Sequence, residues 1–143
     1  MRPFRVLSGF GVTVLLCAAV MALAIAGNPP RIAEGFSVKE YEDFHHVLHE
    51  LQHEALPKKD FARIRSKAGE LIKLGDAIVE LGVPQGTAAA NVEEFKKELK
   101  KFSDALVKFN ADAKAGTDEQ LTVSYSRVHD SFELLADMLP RKP

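Results

Sequence analysis

Cysteine is nearly missing from this sequence: the single Cys17 stands inside an apolar run close to the start. Everything after residue 26 is therefore without a disulfide, a thiolate metal ligand or a cysteine nucleophile. An excess of charge of one sign is missing too, with 19 Lys+Arg against 20 Asp+Glu. Setting aside Arg2 and Arg5 leaves 17 basic and 20 acidic groups, a net charge of −3. That balance gives no basic surface of the kind nucleic acids require, so no nucleic-acid partner is expected. A phosphate-cradling glycine loop and a nucleophile elbow are also lacking, and no enzyme is expected. No internal repeat, low-complexity stretch or β-type alternation competes for the chain.

What is present begins with a charged start and an apolar middle. Arg2 and Arg5 precede a run from Gly9 to Ala26 that closes on Ala24-Ile25-Ala26, and Gly27-Asn28-Pro29-Pro30 follows. A positive start, an apolar core and a small-x-small exit define a secretory signal peptide. Residues 1–26 are read in this way, as a cleaved signal. This places the protein in the periplasm or outside the cell, with no membrane attachment after cleavage. The alternative is an uncleaved anchor over residues 9–26, a stretch just long enough to cross a bilayer. Cys17 follows Leu16, whereas lipoprotein signals carry a small residue there.

Residues 27–37 read as an extended lead-in containing Pro29, Pro30 and Gly35, and residues 38–140 as one helical domain. Helix 1 is predicted from Val38 to Ala55, with Ser37 as N-cap and Pro57 as the stop. Its stripe is Tyr41, Phe44, Leu48, Leu51 and Ala55, at alternating spacings of three and four. Helix 2 is predicted from an Asp60 cap to Gly82, with the stripe Phe61, Ile64, Ala68, Leu71 and Ile78. Gly75 falls on that stripe and would allow close helix approach at a propensity cost of about 1 kcal/mol. Helix 3 is predicted from Asn91 to Gly116, on Val92, Phe95, Leu99, Phe102, Leu106, Phe109 and Ala113. Helix 4 opens on Thr117-Asp118-Glu119-Gln120, a capping box, and carries Leu121, Tyr125, Val128, Phe132, Leu135 and Leu139 up to Pro140. Short connections force antiparallel neighbours, so the expected fold is all-α: an up-down-up-down antiparallel four-helix bundle.

The histidines are the distinctive chemistry. His45, His46, His49 and His53 share helix 1, and His129 sits mid-way along helix 4. At about 100° per residue, His45 and His49 flank the helix 1 stripe, His53 continues the row and His46 points away. His129 flanks the helix 4 stripe, with Glu133 one turn on. In an up-down-up-down bundle His129 comes level with His45. The two flanks face each other for one of the two hands the bundle can take. Two His at i, i+4 are a metal-chelating pair. His45, His49, His129 and Glu133 then make a candidate site for zinc, copper or nickel. His53 and Asp60 are secondary candidates. A row of solvated histidines is the plainer reading of the same residues.

The stretch Ser124-Tyr125-Ser126-Arg127-Val128-His129 resembles the haem-attachment helix of the cytochrome c-prime family, an exported four-helix bundle. Tyr125 and Val128 stand where that family has its two Cys, and His129 where it has the axial His. Without Cys the resemblance implies no c-type haem. It is also similar to the soluble b-type cytochromes, which hold haem by a Met and a His. Met138 is the one Met beyond the signal, so b-type haem would need His45 or His49 as its second ligand. The function expected is metal storage, scavenging or sensing in the periplasm. A non-covalent bis-His haem protein is one alternative. The other is a metal-free interaction module, with Val47, Leu74, Leu81, Val107 and Leu134 as a homodimer face.

Overall fold

The computed structural model describes residues 35–141. Residues 1–26, read from the sequence as a signal, lie outside the described residues, and so do the expected cleavage and the part of the lead-in up to residue 34. The described chain is all-helical. Its four α-helices are α1 (Lys39–Glu50), α2 (Phe61–Leu81), α3 (Val92–Ala115) and α4 (Asp118–Asp137). A π-helical turn, Leu51–Ala55, extends α1, and a short 3₁₀ turn, Ala89–Asn91, leads into α3. No strand occurs among the described residues, and no helix there is long and apolar enough to cross a membrane.

The helix stripes become the core. Tyr41, Phe44, Leu48, Leu51 and Ala55 are buried on α1 and its extension, with Ile64, Leu71 and Ile78 on α2. Phe95, Phe102, Leu106 and Phe109 join them from α3, and Leu121, Tyr125, Val128, Phe132 and Leu135 from α4. Val47 corrects the dimer-face expectation. It is only 6% exposed and belongs to the core, because α1 turns a wider apolar arc inward than its central stripe. Leu81, Val107 and Leu134 do lie exposed.

The helix ends follow their punctuation with one exception. Asp60 caps α2, accepting from Arg63 N at 3.0 Å, and Gly82 closes it at φ 70°, a left-handed conformation that glycine adopts without Cβ strain. The exception is Ser37. The residue before α1 is Val38, with no side-chain cap. Ser37 Oγ instead donates to the carbonyl of Pro140 at 2.6 Å, fastening the start of α1 to the end of α4. That carbonyl lies past the last turn of α4, where no helical amide can reach it.

At the joint of α3 and α4, Thr117 Oγ1 accepts from Gln120 N at 3.2 Å and Gln120 Oε1 accepts from Thr117 N at 2.9 Å. Arg65 crosses from α2 to the same joint, donating to the carbonyls of Asp112, Ala113 and Gly116 and to Asp118. Its guanidinium adds donors to the carbonyls at the end of α3, of which Asp112's also accepts from Gly116 N, and complements the helix dipole. Thr117→Ala should lower unfolding free energy by about 1 kcal/mol, measured in urea, and Thr117→Ser should restore most of it.

Successive helices are the principal packing partners. Glu50 meets Arg63 and Phe44 lies by Gly75 between α1 and α2. Phe109 meets Tyr125 and Phe102 meets Phe132 between α3 and α4. Tyr41 stacks on Phe132, while the Tyr125 hydroxyl donates to the Leu48 carbonyl at 2.9 Å. In each pairing the residue number rises along one helix as it falls along the other.

Candidate functional site

The site is built around α1, whose inner stripe is anchored by Phe44 and Leu48. The same packing sets the flank that carries the histidines. His45 is half-buried beside the core, and His49, His53 and His46 are exposed. The His45 and His49 ring centres are 5.6 Å apart, and those of His49 and His53 4.3 Å. His45 also lies over Phe132 at 6.1 Å, nearly parallel to it. The edge of Phe36 meets it at 5.1 Å.

On α4, His129 is half-buried and Glu133 exposed. His129 Nδ1 lies 3.4 Å from the Asp130 carboxylate, too long for a strong hydrogen bond. Both His129 and Glu133 act on His45. Burial pushes the His45 imidazole below its ordinary pKa first, and neighbouring His49 adds to this. Glu133 and Glu42 pull the other way, and His129 lowers it further. Among the described residues, no three His, Cys, Asp or Glu side chains are grouped so that they could hold a metal ion.

The secondary candidates part company. His53 continues the row. Asp60 is occupied as the cap of α2 and belongs to that turn. His46 stays off the row in solvent.

Two neighbours of the site escaped the stripe analysis. Phe36, assigned to an extended lead-in, docks on Phe132 at 5.7 Å and on His45, with its backbone N–H held by Glu42. Glu42 itself stands three residues before His45. The same Glu-x-x-His spacing recurs at Glu50 and His53. Carboxylate–histidine pairs of this spacing occur at metal sites of helical bundles, and they were readable in the sequence.

Comparison of the chain with protein-family models, with curated proteins and with solved structures gives no match. The stretch with the cytochrome resemblance has two buried side chains at the positions of the absent Cys, Tyr125 and Val128. The Tyr125 hydroxyl is engaged with α1.

The depressed His45 pKa has a sign that can be checked. The folded state disfavours the imidazolium relative to the unfolded chain, whose histidines titrate near 6.5. Stability contributed by neutral His45 is complete above that value and declines as pH falls below it. In the presence of a chelator, the melting temperature should fall between pH 7 and pH 5, less steeply in His45→Gln. Equal slopes would show that His45 does not couple to folding.

Proposed function

We propose that this chain is an exported helical bundle that binds one transition-metal ion, with His45 and His49 as the chelating pair and His129 and Glu133 completing its shell. Storage, scavenging or sensing of zinc, copper or nickel in the periplasm is the role this chemistry suits. The observation that carries the reading is the placement of the His45 and His49 rings 5.6 Å apart on one flank of α1. Two imidazoles bound to one tetrahedral ion at ordinary metal–nitrogen distances have centres about 5 Å apart. The pair needs a small adjustment to bind, and His129 and Glu133 need side-chain rotation toward it.

An up-down-up-down connection of the helices belongs to the same proposal. It is supported by the opposed numbering of the contact pairs, 41 with 132 and 48 with 125 among them. A small ion is preferred to haem because Phe132 and the rings of Phe36, Tyr41, Phe44 and Phe102 fill the layer between His45 and the opposite helices. A macrocycle would have to displace them. No catalytic role is proposed.

The test is elemental analysis beside a visible spectrum. The full chain is exported through its own leader and purified without chelator or added metal. The wild type should hold close to one ion per chain. His129→Ala should retain less, and His49→Ala should bind about 10²-fold more weakly, as expected when a chelating partner is removed. A Soret band would promote haem instead. A colourless protein that takes up none of the three metals would remove both readings and leave an interaction module.

A further inference from the structure

The row on α1 does not end at the proposed ligands. His53 lies against His49 with ring centres 4.3 Å apart and the rings tilted by 40°, and His49 faces His45 on its other side at 5.6 Å. These separations bracket the value of about 5 Å for two imidazoles on one tetrahedral ion. His49 thus stands in two chelating pairs at once, inner His45/His49 and outer His49/His53. Their surroundings differ. His53 and His49 are exposed, whereas His45 is half-buried beneath Phe36 and against Phe132. Glu133 and His129 act on His45. The outer pair occurs where α1 passes into the π-helical turn Leu51–Ala55. Arg63 of α2 grips the start and body of that turn through Glu50 and Glu54. A π-turn changes the angular step between side chains.

We infer that His53, His49 and His45 form a two-position relay for a divalent metal ion, in which the outer pair captures the ion and passes it to the inner pair through the shared His49. This inference rests on the metal-binding reading above and deepens it. In the transfer the His49–metal bond persists. The His53 nitrogen leaves as the His45 nitrogen takes its place, and Glu133 or His129 then displaces water. All three imidazoles bind as neutral lone-pair donors, so no proton or electron needs another carrier. Because His49 is common to both pairs, the two positions cannot fill together. The chain then holds one ion in the row at saturation.

Exposure gives the outer pair its purpose. An ion already held by another chelator must be attacked by a ligand that reaches into solvent before the first chelator lets go. His53 and His49 are exposed enough to do this, whereas His45 is half-buried against Phe36.

The experiment uses zinc presented on a chromophoric chelator to the full-length protein, following both the rate of transfer by stopped flow and the final affinity. His53→Ala should slow transfer about tenfold with the final affinity nearly unchanged. His45→Ala should keep the fast transfer and bind about 10²-fold more weakly at equilibrium. His49→Ala should lose both, and His46→Ala, exposed but off the row, should match the wild type. Circular dichroism and melting without metal establish that each variant is folded. A wild type that binds zinc while His53→Ala loads at the same rate overturns the relay and leaves the inner site standing. Two ions bound in the row overturn the sharing of His49. A wild type that binds no zinc overturns the site itself, and the relay with it.

Discussion

Phe132→Ala should cost about 3–5 kcal/mol of folding free energy. The ring is fully buried and is the hub of the aromatic layer. Phe44 lies 4.8 Å from it, Phe36 5.7 Å, Tyr41 5.8 Å, His45 6.1 Å and Phe102 6.5 Å, measured between ring centres. These neighbours come from the lead-in, α1 and α3, so removing the ring opens a void that no single helix can close. The loss contains the transfer of the ring out of the core and the cavity left behind. The favourable edge and stacking geometries disappear with it. Urea unfolding by far-UV circular dichroism gives the number, with an unchanged denaturant slope showing that the loss is one of stability. Phe132→Leu, which keeps apolar volume without the ring, should fall between the two. A loss below about 1 kcal/mol would mean that the layer is loosely packed and that His45 has no firm floor.

The sequence carried the helices because each is marked twice, by an apolar stripe and by its ends. Asp60, Gly82 and the Thr117/Gln120 box all sit where the punctuation places them. Ser37 misled because a hydroxyl before a helix can bond its own turn or a distant carbonyl, and the spare carbonyl of Pro140 comes from the far end of the chain. The site was readable as far as the row on α1. The π-turn lay beyond it, since a uniform step of about 100° carries no information on where a helix changes its winding. Phe36 was hidden for a related reason. A lone aromatic in a segment rich in proline and glycine has no periodicity to place it, and only the packed Phe132 and His45 give it a position. The buried acids of α3, Glu98 and Asp112, were equally unannounced. Each hands one oxygen to a lysine of its own helix and keeps the other buried. On a helical wheel they flank the stripe, so periodicity alone does not mark them as buried.

Gly75 is a core position where a side chain must be absent, and substitution there should change sign with its partner. A Cβ at Gly75 would lie 2.6 and 2.7 Å from the two terminal carbons of Leu106 and 3.2 Å from Phe44 Cε2. Leu106 is 2% exposed, so its terminal carbons must shift within a packed core to admit the added carbon. Gly75→Val should therefore destabilise by about 3 kcal/mol. For Gly75→Ala the gain in helix propensity, about 1 kcal/mol, offsets part of an overpacking cost of about 1–3 kcal/mol, and a modest net loss is expected. Leu106→Ala alone should cost about 2–5 kcal/mol through its cavity. In that background the clash is gone while the propensity gain remains, so Gly75→Ala should become stabilising by up to about 1 kcal/mol. The double-mutant cycle measures this directly from four unfolding curves. Additive losses would show that α2 and α3 do not meet at Gly75. A reversal of sign would establish that the closest approach of these helices is set by the missing side chain.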